Sequence, residues 1–483
     1  MGFSAGLRHV AHHVFLCHQP AARPHRPAAS RGRGPAQLSS NQDSPRKGVV
    51  VIGGGLSGLA AGFDLVRAGH HVTILEAAPA FGGLASSFRL ETHPIERFYH
   101  FICRSDEHLI RFVKDLGLGA KLHWRETRTA FFHNGRQYPF GTPLDLLRFS
   151  VIPWTQRIRF GVHVLRSRYR SQWRSLDQIP AKAWLIEHIG EQAYNAIWHP
   201  LLKVKFGHYH DQISAAWIWH RIWRVAQSRR NLFERETFGY LEHGTVTLVD
   251  PLVEWLTTQP NAVLRSGVKV EPLVIQDGRV RQVRAGGMAI PCDAVISTVA
   301  LPTLGRLVPD YTEPYFARAR AVKYIGIVCM LLSLKRPFSD NFWTNVNDPR
   351  ISFNGIIEQT NLNHNLRLVG LNLVYVPFYL PTSEPRYSAS DEALFAEYTG
   401  MLALMNPNFS ESWVKEWHVF RTPYAQPVFT TNFVDLMPAH RTPIGGLYVT
   451  DSTQFYPEDR TISAAIEQGR KVAAMIMAEP VAA

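Results

Sequence analysis

After Gly48 the chain carries an unbroken apolar run, Val49-Val50-Val51-Ile52. Such a run, without polar alternation, suits a short strand buried on both faces of a parallel sheet. A glycine turn follows, then apolar residues at helical spacing over Leu59–Ala68, with Gly69 as a helix stop. His71-Val72-Thr73-Ile74-Leu75 is the next strand, so the pattern predicts a βαβ unit within about thirty residues. Residues 84–240 read as mainly helical and irregular, heavy in Trp, Tyr, Phe, His and Arg. Strand patterns return at Ala262–Val270, Arg279–Arg284 and Ala294–Thr298. Ile325–Leu334 and Leu366–Tyr379 suggest a separate sheet. Gly446–Asp451 is a last strand, and Ile462–Ala478 a closing helix. No internal repeat is present, and the fold class is α/β.

The turn after the first strand is Gly53-Gly54-Gly55-Leu56-Ser57-Gly58, which fits G-x-G-x-x-G between strand and helix. The first glycine permits the tight turn and the second lets backbone approach a pyrophosphate. The third lets helix and strand pack closely, with phosphates at the helix N-terminus. Glu76 closes the second strand, 23 residues after Gly53, where a carboxylate can accept hydrogen bonds from ribose hydroxyls. Together these features predict dinucleotide binding. A second pair, Gly82-Gly83, brings the chain back to the cofactor. No second G-x-G-x-x-G occurs, so a built-in nicotinamide site is not expected.

The order of these segments resembles the FAD-binding superfamily of amine oxidases, protoporphyrinogen oxidases and phytoene desaturases. The resemblance implies FAD as cofactor and a Rossmann-like FAD-binding domain joined to a mixed α+β substrate domain. It places Gly53, Gly55, Leu56, Ser57, Gly58, Glu76, Ala77, Gly82, Gly83 and Leu84 at the cofactor. Val268 supplies backbone to the adenine, Asp451 meets the ribityl–pyrophosphate, and the helix beginning at Ile462 aims its N-terminus at the flavin. Amine oxidases usually carry Arg after the glycine pair, and here Leu84 stands there. Gly82–Phe88, Glu96–Phe101 and the Asn134-Gly135 hairpin resemble more closely the protoporphyrinogen-oxidase-like proteins related to UDP-galactopyranose mutase. The implied division gives residues 48–100, 240–310 and 440–480 to the FAD domain and 101–239 and 311–439 to the substrate domain.

The flavin does the difficult step in such enzymes, so catalytic residues are hard to read. The resemblance offers His100 at the matching place for a histidine near the flavin, and Lys323 for a lysine near its N5. Arg460, just before the flavin-facing helix, is a candidate for cofactor or substrate contact. Each has a plain alternative: an interior hydrogen-bonded histidine, a solvated strand-end lysine, a structural arginine. Trp198–Gly207 mixes Lys with aromatics and is either an anionic or isoprenoid substrate contact or a packed helix connection. His12-His13 and His208-Tyr209-His210 lack further ligands at helical spacing, so no metal is expected.

Net charge is +13, but it is local. Residues 1–47 carry seven basic residues and one acid, residues 146–176 carry seven arginines and no acid, and the remainder is balanced. That excludes the broad basic face of a nucleic-acid-binding protein. The first block is a disordered tail or a mitochondrial-type targeting segment. The second interleaves arginines with Trp154, Phe160, Tyr169 and Trp173, which suits a peripheral contact with anionic lipid, a solvated helix face or an anionic partner. The apolar run Tyr324–Leu334 is too short to span a bilayer. Location is cytoplasmic or at a membrane surface, with mitochondrial targeting the alternative in a eukaryote. Four scattered cysteines, Cys17, Cys103, Cys292 and Cys329, show no paired spacing.

The expected activity is FAD-dependent removal of hydride from a C–N or C–C bond of an unidentified small-molecule substrate, lipophilic or not, with a porphyrinogen, a polyene or an amine each compatible. The alternatives are a non-redox, mutase-like flavoenzyme and a flavin-binding scaffold without turnover.

Overall fold

A computed structural model describes residues 46–227 and 235–480. The tail expected over 1–47 therefore lies outside the described residues, apart from Arg46 and Lys47, as does His12-His13.

Five parallel strands form one sheet in the order Leu447–Val449, Ala294–Ser297, Gly48–Ile52, His71–Leu75 and Ala262–Arg265. Alternate side chains of a strand point to opposite faces. Val49 and Val51 enter a core shared with the helices Leu56–Arg67, Val246–Thr258 and Ile462–Ala478. Val50 and Ile52 enter the core on the other face. The unbroken apolar run is thus explained by burial on both sides. The Glu107–Asp115 helix joins the first of these cores through Leu109, Phe112 and Val113.

The second sheet has seven strands, in the order Val414–Pro427, Tyr324–Leu334, Leu373–Leu380, Gly355–Glu358, Trp343–Asn347, Thr129–His133 and Arg136–Pro139. Its long inner strand Tyr324–Leu334 alternates in the same way. Ile325, Ile327, Cys329 and Leu331 face the main core, while Val328, Met330 and Leu332 face a separate core. That second core is closed by Leu394, Tyr398 and Leu402 of the helix Asp391–Met405.

Three local expectations are revised. Residues 84–240 contain strands as well as helices, including Thr129–His133, which pairs in parallel with Trp343–Asn347. The partner lies some two hundred residues away, so no local pattern announces it. Leu366–Tyr379 is not one strand: the helix His364–Leu368 ends, the chain turns at Gly370 with φ +81°, and the strand runs from Leu373 to Leu380. The strand expected over Ala262–Val270 stops at Arg265, after which the Gly267 and Val268 amides donate to the Ala78 and Glu76 carbonyls at 2.8 and 2.9 Å.

Candidate active site

The glycine turn leaves the first strand at Gly53, whose φ of +109° and contact with Thr298 exclude a side chain. A Cβ on Gly58 would lie 2.0 Å from the Gly53 carbonyl oxygen, so strand end and helix touch backbone to backbone. Gly55 caps the helix Leu56–Arg67 without a side-chain hydrogen bond, and the first turn holds no acid. Its leading amides are donors without intrahelical partners at the positive end of the helix, suited to an anion. The second glycine pair closes over this turn: Gly82 N donates to the Gly54 carbonyl at 2.8 Å, and a Cβ on Gly83 would meet Gly55 Cα at 3.2 Å.

Glu76 fixes the same turn from the neighbouring strand. Its carboxylate accepts from Gly54 N at 2.7 Å and from Ala78 N at 2.8 Å. Ser57 ties the turn to the C-terminal helix, donating its hydroxyl to the Ala465 carbonyl at 2.8 Å. That helix, Ile462–Ala478, is capped by Thr461, which accepts from Ala464 N at 3.0 Å.

These parts line a cavity of about 520 Å³ that continues to the seven-stranded sheet. Gly53, Gly55, Leu56, Ser57, Glu76, Gly82, Gly83, Leu84, Asp451 and Ile462 all reach its wall. Gly58, Ala77 and Val268 do not: Gly58 packs under the turn, Ala77 is exposed, and Val268 holds Glu76 from outside through its amide. Asp451 is buried, and burial raises its pKa against the hydrogen bonds from Thr453 and Tyr324 that lower it. An uncapped helix N-terminus, a glycine cradle and an acid at the second strand's end fit the pyrophosphate and ribose of FAD.

Of the three catalytic candidates, His100 and Arg460 line the cavity and Lys323 does not. His100 Nδ1 lies 3.6 Å from Glu96 Oε1, too long for a hydrogen bond, and is buried without another partner among the described residues. Arg460 donates to the Ala425 carbonyl at 3.2 Å and to the Tyr379 hydroxyl. Lys323 is exposed to solvent just before its strand, whereas the next residue, Tyr324, reaches inward to Asp451. Strand alternation turns the lysine away from the flavin side, and the expectation for it fails.

The cavity's lysine is Lys205, from the aromatic stretch 198–207. It is buried, with its ammonium 4.5 Å from the Tyr379 ring centre and 4.9 Å from that of Trp217. Burial brings its pKa down to about 7, against the opposing pull of Asp459. No hydrogen bond to its Nζ forms among the described residues. Arg221, which pairs with Asp459, and Arg224 stand three residues apart on the helix Ala215–Gln227, so both face the cavity. Arg224 is spent on Asp106, with contacts of 3.1 and 2.8 Å. Burial alone would raise the pKa of Asp459, but Lys205, Arg221 and Arg460 outweigh it and hold the carboxyl well below its usual range. One carboxylate thus faces three cations. Tyr99 and Phe101, with Trp343 and Tyr424 of the seven-stranded sheet, supply further aromatic wall to the cavity. Sequence reasoning does not single out Arg221, Arg224, Asp106 or Tyr99. The i, i+3 arginines on an otherwise apolar helix are the one available signal.

Comparison with known proteins bears on the family. The model of the flavin containing amine oxidoreductases matches residues 56–477. The 15-cis-phytoene desaturase of Synechococcus elongatus is 22% identical over 318 residues, which is 60% of this chain and 66% of the relative's own length. Two solved structures share the fold. A protein provisionally named a protoporphyrinogen oxidase, from Exiguobacterium sp. 255-15, has a TM-score of 0.71 at 18% identity, covering 90% of this chain and 99% of that one. Reduced UDP-galactopyranose mutase has a TM-score of 0.69 at 17% identity, covering 89% and 95%. The chain belongs to the flavin-containing amine oxidoreductase family and is an FAD-dependent oxidoreductase.

Proposed function

We propose that the enzyme removes hydride from a C–N or C–C bond of a substrate that carries an anionic group beside an apolar, unsaturated or ring portion. The observation that carries this reading is the local cluster at the cavity wall in which three cations, the buried Lys205 and the half-buried Arg221 and Arg460, face one carboxylate, Asp459. A buried charge without a counter-charge is costly, and an anionic substrate group offsets that cost. A hydrocarbon polyene, the substrate named for the desaturase relative, would leave these cations unmatched.

FAD, held by the glycine cradle and Glu76, would supply the two-electron acceptor, with dioxygen or another acceptor as the terminal oxidant. The chain's own residues hold the substrate. Lys205, Arg221 and Arg460 neutralise its anion, and Tyr99, Tyr379 and Trp343 orient its apolar part. The start of the Ile462–Ala478 helix stabilises negative charge that develops at the cavity.

The test is anaerobic mixing of the FAD-loaded enzyme with carboxylate-bearing amines, carboxylate-bearing tetrapyrroles and a neutral polyene. Stoichiometric bleaching of oxidised flavin by a carboxylate-bearing compound, lost in Lys205→Met, is the expected result. Bleaching by the neutral polyene alone would overturn the anionic assignment. Turnover seen only after dithionite reduction would overturn hydride removal and favour the mutase-like alternative.

A further inference from the structure

The helix Trp154–Tyr169 carries two apolar faces where a surface helix ordinarily has one. Phe160, His163 and Ser167 are buried on one side. They pack toward the helix Ala215–Gln227, where Trp219 Nε1 donates to the Ser167 carbonyl at 3.1 Å. On the opposite side stand Trp154, Ile158, Val162, Leu165 and Tyr169, spaced by four, four, three and four residues. At 3.6 residues per turn this spacing makes one continuous stripe along the helix. All five are exposed, from 38% at Leu165 to 75% at Tyr169. Leu144 and Leu147, on the adjoining helix Pro143–Arg148, extend the patch. Seven of the twelve exposed large hydrophobic side chains among the described residues fall between 144 and 169, so the patch is a concentration and not scatter.

The same helical geometry sets arginines along both borders of the stripe. Arg157 and Arg168 fall on one side, Arg159 and Arg166 on the other. Three of these are held in place by backbone carbonyls: Arg157 donates to Leu147 at the carbonyl oxygen, Arg159 to His188, and Arg168 to Ala226. Residues 146–176 contain no acid, and Asp177 stands just beyond their end. No helix among the described residues is long and apolar enough to cross a membrane.

We propose that this face docks on an anionic lipid bilayer, with the helix Trp154–Tyr169 lying in the plane of the interface. The apolar stripe enters the headgroup–acyl boundary, and the flanking arginines meet lipid phosphates. The charge pattern decides the occupant. An apolar stripe alone would suit a protein partner or a second copy of the chain, but a second copy would bring the four bordering arginines against the same four. The buried side of the same helix rests on the helix that carries Arg221 and Arg224, so the lipid surface would lie one helix away from the cavity wall. This docking rests on the exposed stripe and not on the identity of the substrate.

The test is sedimentation of the full-length, FAD-loaded protein with vesicles of phosphatidylcholine, with and without phosphatidylglycerol. Pelleting with the anionic vesicles, weakened by added salt, is expected. Both Arg159→Glu/Arg166→Glu and Trp154→Ser/Ile158→Ser/Leu165→Ser should weaken vesicle partitioning by at least about thirty-fold. Unchanged flavin content and circular dichroism would show that these surface variants remain folded. Val162→Trp keeps the stripe apolar and should bind at least as tightly. Wild-type protein left in the supernatant, or a triple-serine variant that pellets like wild type, would overturn the proposal. So would a wild-type dimer that ignores vesicles and becomes monomeric in the triple-serine variant, because the second copy would then be the occupant.

Discussion

A Cβ placed on Gly469 would lie 2.1 Å from the carbonyl oxygen of Ser57. The helix that begins at the cofactor cradle and the helix that ends the described chain therefore meet backbone to backbone, with the Ser57 hydroxyl bonded to the Ala465 carbonyl at 2.8 Å. Gly469→Ala should force the helices apart, at a cost of about 1–3 kcal/mol. Urea unfolding together with the flavin absorbance of the purified protein measures both losses. Wild-type stability in the alanine variant would show that the two helices separate freely.

Lys205 sets a pH dependence whose sign is fixed by its lowered pKa of about 7. Between that value and the ordinary 10.5 of an unfolded lysine, the unfolded chain binds more protons, so this group's contribution to stability rises with pH. Below about pH 7 the native state must bury the charge in full. Lys205→Met should therefore stabilise the enzyme most at acid pH, by about 3–5 kcal/mol, with the gain shrinking as pH approaches 10. Unfolding curves of both proteins across this range test it. A gain independent of pH would mean that the lysine is not titrating.

Asp459 is the counterpart. Its depressed pKa keeps it ionised, so its stabilising effect is present above the ordinary carboxylate range and is lost only in strong acid. Asp459→Asn removes the one carboxylate from among Lys205, Arg221 and Arg460. The expected loss is about 3–5 kcal/mol at neutral pH, the cost of stranding buried charge. A neutral result in urea unfolding would show that these cations are already solvated through the cavity.

Glu76 carries a different load. Its two oxygens hold the Gly54 and Ala78 amides, and the ribose of FAD is the further ligand that the fold implies. Glu76→Ala should weaken FAD binding by about ten- to a hundred-fold, the range for hydrogen bonds to a charged group. Flavin fluorescence titration of the apoprotein measures this. Unchanged affinity accompanied by lower stability would confine Glu76 to bracing the turn.

Residues whose role depends on near neighbours are legible in the amino-acid order alone. Val49–Ile52 declares a doubly buried strand because both of its faces are apolar, and Gly53, Gly55 and Gly58 declare a turn because each spacing has a steric reason. Lys323 misleads because position at a strand's start says nothing of which face a side chain takes. Tyr324 takes the inward one. Lys205 lies in a stretch marked by its aromatics, but its burial depends on Trp217 and Tyr379 from two other elements. Thr129–His133 reads as irregular for a similar reason: what makes it a strand is Trp343–Asn347, supplied by a distant part of the chain.

The order of the parallel sheet has a consequence for how the enzyme is made. Its edge strand, Leu447–Val449, pairs with Ala294–Ser297 and is followed at once by Asp451 and the Ile462–Ala478 helix. During synthesis the cradle built from residues 48–85 emerges early, yet one wall of its cavity arrives only with the last strand and helix of the described chain. Until then the Ala294–Ser297 strand presents unpaired backbone along its length, a surface prone to wrong pairing. Complete cofactor capture thus waits for residues 447–478, and FAD that binds the assembled cradle would draw the chain toward its native state.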